Sequence, residues 1–141
     1  MTTSIQREVS YPHPPERVWR ALTDPAALSR WLMPNDFQPR LGHRFTFREE
    51  PIPPYFDGIV RCEVTELDPP WRLAYTWNGG PGVETVVSYR LEREGPGTRL
   101  YFEQRGFDLD QPGHRAAYDA MSPGWGSLLE DGLRAAIDRP D

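Results

Sequence analysis

The chain has 141 residues and a net charge of −5, with all 16 basic residues arginine; at this size one domain buries roughly 68% of its unfolded surface without staples. The acidic balance and the lack of a basic cluster argue against a nucleic-acid or anionic-membrane surface, and no apolar run reaches the ~20 residues needed to cross a bilayer. Cys62 is the single cysteine and no N-terminal apolar stretch reads as a signal peptide, so the expectation is one domain over residues 1–141 in a reducing cytoplasm.

Taken in order, Ile5 to Tyr11 alternate in polarity, with Ile5, Arg7, Val9 and Tyr11 in one phase, which predicts a first strand. Two short helices follow. Glu16 to Leu22 enters through Pro15, and Pro25 to Trp31 takes Asp24 as its N-cap with Pro25 at the first position. Val18, Trp19, Leu22, Leu28, Trp31 and Leu32 are their inward residues. A polar, proline-broken loop through Asn35, Asp36 and Pro39 leads to a second strand, His43 to Glu49, where Phe45 and Phe47 share a phase. Beyond the stiff linker Pro51 to Pro54, Phe56-Asp57-Gly58 opens a third strand carrying Val60, Cys62 and Val64 on one face. In the same phase Glu66 would also point inward. The fourth strand, Trp71 to Trp77, keeps Leu73, Tyr75 and Trp77 together. Asn78 to Gly82 is the strongest turn signal in the chain. The fifth strand, Val83 to Glu94, aligns Thr85, Val87, Tyr89 and Leu91, and the sixth, Thr98 to Phe107, aligns Leu100, Phe102 and Gln104. Consecutive strands on short turns make an antiparallel meander with one apolar and one charged face.

Only one long segment then remains to cover the apolar face. Ser122 to Asp138 carries apolar residues at helical spacing, with Met121, Trp125, Leu128, Gly132 and Ala136 along one face and Leu129, Leu133 and Ile137 beside them. Ser122 followed by Pro123 predicts the helix start, preceded by a helical turn over His114 to Ala120. A bent sheet gripping this helix leaves an internal space.

The segments PPERVWRALTDPAALSRWL, GIVRCEVTELDPPWRLAYTW and EGPGTRLYFEQRGF, with the C-terminal GW and paired leucines, resemble the START-like superfamily, also called SRPBCC. Within it they are most similar to the branch of the homologue of the activator of the heat-shock-protein ATPase. The resemblance implies an α+β helix-grip fold, a curved antiparallel sheet of six to seven strands around a long C-terminal helix, with two short helices after the first strand. It further implies an internal cavity for a sterol, lipid, polyketide or other apolar guest. It also leaves open a chaperone-associated stress-response role, as in the namesake, or a cyclase or hydrolase acting in the cavity. Fold alone does not choose among these.

The residues themselves give little catalytic signal. His13, His43 and His114 have no metal-ligand spacing, so no metal or cofactor is expected. Cys62, mid-strand among apolar neighbours, reads as a small buried hydrophobe. Ser127 in GWGSL lacks the strand-to-helix turn of a nucleophile elbow, and the glycine pairs at 80/82 and 95/97 sit in hairpin turns rather than before a helix. The informative set is aromatic, at 12% of the chain, and it falls on inward phases. Phe45, Phe47, Tyr75, Trp77, Tyr89, Phe102 and Trp125 are expected to border a cavity, with Trp31, Cys62, Val87 and Gln104 on its sheet and cap sides. Met121, Leu128 and Leu129 are expected on its helix side. Buried tyrosine hydroxyls and Gln104 need partners, and a pocket for a small, largely apolar molecule supplies them. No catalytic residue is assigned, and a monomer or a homodimer is equally compatible with the sequence.

Overall fold

The computed structural model describes residues 2–51, 57–79 and 83–139. Residues 52–54 of the linker, Phe56 and the turn at 80–82 lie outside that set. Six strands, β1 (Thr2–Tyr11), β2 (Arg44–Arg48), β3 (Ile59–Asp68), β4 (Arg72–Asn78), β5 (Glu84–Glu94) and β6 (Gly97–Asp108), form one sheet in the order β1-β6-β5-β4-β3-β2. Every pairing is antiparallel. The ladders bring inward residues side by side: Ile5 pairs with Gln104, Gln104 with Val87, Val87 with Tyr75, and Phe45 with Cys62. Alternation along each strand therefore assembles one continuous apolar face.

The short helices α1 (Pro15–Thr23) and α2 (Pro25–Trp31) form as the prolines and Asp24 predict; the Asp24 carboxylate accepts the Ala26 N–H at 3.3 Å. The C-terminal helix departs from expectation at its start. It begins ten residues earlier than Ser122, as α3 (Pro112–Ser127), and continues through a π-helical segment (Leu128–Leu133) into α4 (Arg134–Asp138). Pro112, rather than Pro123, is the first-turn proline, and Ser122 is not a cap. Pro123 lies inside the helix, where it has no N–H to donate. Arg7 ties this turn to β1, its Nη2 donating to the Ser122 carbonyl at 2.6 Å and to Ser122 Oγ at 3.1 Å.

The buried line of the helix is also one position off the expected one. Trp125, Leu129, Leu133 and Ile137 are buried at strict four-residue intervals, while Met121, Leu128 and Ala136 pack beside them, partly exposed. In an α-helix such a stripe drifts about 40° per step, and the wider i→i+5 turn of the π segment winds it back towards the sheet. Within that segment the Leu129 carbonyl accepts the Tyr11 hydroxyl at 2.8 Å. Gly132 lets the backbone pass α2, since a Cβ there would lie 3.3 Å from the Trp31 carbonyl oxygen.

Two further departures have local causes. The register shifts between Val64 and Glu66, so Glu66 is exposed and Leu67 packs against the core instead. Phe37, read as part of a polar loop, is 1% exposed. Asn35 holds the loop by accepting the Phe37 N–H at 3.0 Å and donating to the carbonyls of Pro25 and Met33.

Candidate functional site

Between helix and sheet the aromatic side chains form a closed circuit. Phe45 meets Phe47 at a ring-centroid distance of 5.4 Å, Phe47 meets Trp77 at 5.4 Å, Trp77 meets Trp125 at 5.4 Å, and Trp125 meets Phe102 at 4.4 Å. Phe102 to Tyr89, Tyr89 to Tyr75 and Tyr75 to Phe45 complete it at 5.4, 6.0 and 5.2 Å. The geometry is tilted or edge-to-face throughout, the arrangement that ring quadrupoles favour. Phe37 plugs one side, edge-on to Phe45 at 5.1 Å.

Several polar groups inside this shell are satisfied in a chain. Trp125 Nε1 donates to Gln104 Oε1 at 2.8 Å, Gln104 Nε2 to Thr85 Oγ1 at 2.9 Å, and Thr85 Oγ1 to the Trp77 carbonyl at 2.9 Å. The Tyr75 and Tyr89 hydroxyls share one bond of 3.0 Å. Burial pushes the Tyr11, Tyr75 and Tyr89 phenols and the Cys62 thiol well up from their ordinary values. All four are thus neutral, and Cys62 is no nucleophile, near neutral pH.

At the Trp77–Trp125 corner the shell opens into a groove of about 440 Å³. Met121, Gly124, Trp125 and Leu128 form its helix wall, and Val60, Trp77 and Gly79 its sheet wall. Leu32 and Met33, just past α2, close one end, and Glu49 is the only ionisable side chain on the described wall. A Cβ built on Gly124 would meet nothing within 4 Å. The volume lies in the range of small-molecule sites, and so does the apolar lining.

A family model for Activator of Hsp90 ATPase homolog 1-like proteins matches residues 12–138. The chain belongs to that family. This is the START-like branch that the sequence resembles, and the open six-stranded sheet with its long C-terminal helix is the helix-grip fold. Among solved structures, MLL2253 from Mesorhizobium loti is 37% identical over 99% of both chains, with a TM-score of 0.85. CalU16 from Micromonospora echinospora is 26% identical over 97% of this chain and 77% of its own, with a TM-score of 0.78. Aha1 from Colwellia psychrerythraea, solved as a dimer, shares the fold at 19% identity and a TM-score of 0.77, covering 96% of each chain. No curated protein matches the chain.

Within this member of the Activator of Hsp90 ATPase homolog 1-like family, the fourteen residues expected around a cavity separate into two groups, with Cys62 apart from both. Trp77, Met121, Trp125 and Leu128 border the groove. Phe45, Phe47, Tyr75, Val87, Tyr89, Phe102, Gln104 and Leu129 are buried in the packed interior, as is Trp31, whose Nε1 donates to the Ala21 carbonyl at 2.9 Å. Cys62 is buried beside a different depression, about 910 Å³, on the sheet's charged face. That depression is larger, but its arginines are engaged by neighbouring carboxylates, Arg44 with Glu63 at 3.2 Å and Arg61 with Asp57 at 3.1 Å. It reads as a solvated face with paired charges. Sequence reasoning missed Gly79 and Gly124 as groove residues. Their signal is the small residue on an otherwise bulky inward surface.

Proposed function

We propose that the protein binds one small, largely apolar molecule in the groove between α3 and the inner face of β3 and β4. The observation that carries this reading is the groove itself: an apolar recess walled by two tryptophans and held open by two glycines, beside an interior packed with buried aromatic side chains. Burying apolar ligand area there at about 25 cal/mol per Å² supplies the affinity. Turnover is not part of the proposal. Glu49 is exposed at the rim, and no second titratable side chain on the described wall stands with it for general acid–base work.

Native mass spectrometry of protein purified without refolding, with thermal shifts across a panel of lipophiles, tests the reading. The expected result is a retained or stabilising small molecule with the wild type and none with Gly124→Leu, whose side chain fills the recess. A panel with no response, together with recovery of a chaperone in a pull-down, would overturn it in favour of action through the surface.

A further inference from the structure

We infer that the ligand is uncharged and carries a hydrogen-bond acceptor, a carbonyl or ether oxygen, that takes the indole N–H of Trp77. This deepens the binding proposal and rests on the groove being the ligand site. The two other wholly buried indoles spend their N–H groups inside the protein, Trp125 on Gln104 and Trp31 on the Ala21 carbonyl. Trp77 is 3% exposed, and its Nε1 is the one buried side-chain nitrogen or oxygen without a hydrogen-bond partner among the described residues. A buried donor left unmade is costly, and native structures rarely keep one without a use.

The ring cannot readily turn to find a partner. It packs between Phe47 and Trp125, at 5.4 Å from each, and Thr85 holds the residue's carbonyl. Trp77 lines the groove, and the residue two places on is glycine. A Cβ on Gly79 would lie 3.1 Å from Trp77 Nε1 and 3.5 Å from the Met121 methyl carbon. Glycine thus spares the N–H the methyl that would crowd it, and Met121 beside it is partly exposed and among the most adaptable of apolar side chains. The wall also selects charge. No arginine or histidine lines the described groove and one carboxylate does, so an anionic acceptor would enter unpaired.

Matched probes that differ only in the acceptor test this: fluorenone against fluorene, and benzophenone against diphenylmethane. Affinity is read by tryptophan fluorescence, and the Trp77 indole resonance is read by ¹H–¹⁵N NMR, assigned with Trp77→Phe. Each ketone is expected to bind about tenfold tighter than its hydrocarbon, the ratio one neutral hydrogen bond supplies, and to shift the Trp77 indole resonance. Gly79→Ala, which keeps the indole but places a methyl against its N–H, should abolish the preference while the hydrocarbons still bind. Trp77→Phe should do the same. Equal affinities within each pair, with the indole resonance unmoved, would overturn the acceptor inference and leave the groove reading standing. Tighter binding of fluorenone-4-carboxylate than of fluorenone would overturn the uncharged class. Binding of no probe would remove the inference together with the reading beneath it.

Discussion

Phe45 and Trp125 both face the interior and are nearly equally buried, at 3% and 2% exposure, yet their surroundings differ. The space beside Phe45 is occupied by Phe37, which a well-bonded loop delivers edge-on. The space beside Trp125 is bordered by Gly79, Gly124 and the flexible Met121. Aromatic residues on an inward phase therefore do not by themselves make a cavity. What decides is whether a further bulky group is supplied to the gap, and here one end of the same circuit is core while the other is the wall of a groove.

The widest separation between the two ends should appear on truncation. Phe45→Ala is expected to cost about 3–5 kcal/mol in urea denaturation and to leave groove affinity unchanged in the protein that remains folded. A loss near 1 kcal/mol would show that the Phe37 end is as loosely filled as the groove. Trp125→Phe acts on the other side of the comparison. It keeps most of the ring but leaves Gln104 Oε1 buried without its donor, an expected loss of about 1–3 kcal/mol, accompanied by weaker ligand binding.

The closed end also carries the Tyr75–Tyr89 pair, and its prediction concerns pH. Tyr75→Phe leaves the Tyr89 hydroxyl without its partner, at about 1 kcal/mol, whereas the Tyr75→Phe/Tyr89→Phe double variant should be close to neutral. Burial raises both phenols, so in the folded protein they stay protonated above their ordinary value of 10.0. The unfolded chain ionises first. Their contribution is therefore fully present below pH 10 and is lost as pH rises beyond it, by up to about 1.4 kcal/mol per pH unit for each phenol. Tyr11 adds to the loss with the same sign, and Cys62 does so from its ordinary 9.0 upward. The double variant should show a shallower alkaline decline in denaturant titrations from pH 9 to 11. An unchanged slope would mean the pair is hydrated rather than sealed.

These contrasts also mark what the chain discloses about itself. Strand phase, the Asp24-Pro25 cap and the turn at Gly95 are local, and local chemistry places them, although β1 begins at Thr2 rather than Ile5. The fold was legible for that reason, and the resemblance of the tryptophan-bearing segments agreed with it. Failures came where a distant group intervened. Arg7, over a hundred residues upstream, holds the proline-bearing turn of the long helix, so Ser122-Pro123 reads as a start when it is a middle. A bulge after Val64 reverses the phase that pointed Glu66 inward. The candidate site was half legible: the aromatics announce an interior, but only assembly shows that Phe37 fills one part and that two glycines spare another.

The smallest expected effect is the sharpest test of that division, because it compares two glycines in one helical run. Gly124 faces the groove and an added Cβ meets nothing within 4 Å, whereas at Gly132 it would sit 3.3 Å from the Trp31 carbonyl oxygen and 3.5 Å from that residue's Cβ. Alanine in a helix interior gains about 0.5–1 kcal/mol over glycine when nothing obstructs it. Gly124→Ala should realise that gain as a raised urea midpoint. At Gly132 the obstacle is backbone of α2, fixed by the Trp31 indole bond to Ala21, so the same substitution should gain nothing or lose stability. Equal gains at both sites would mean that α2 yields to the helix and that the closed end is softer than its packing implies. A loss at Gly124 would mean that the groove is already filled in solution.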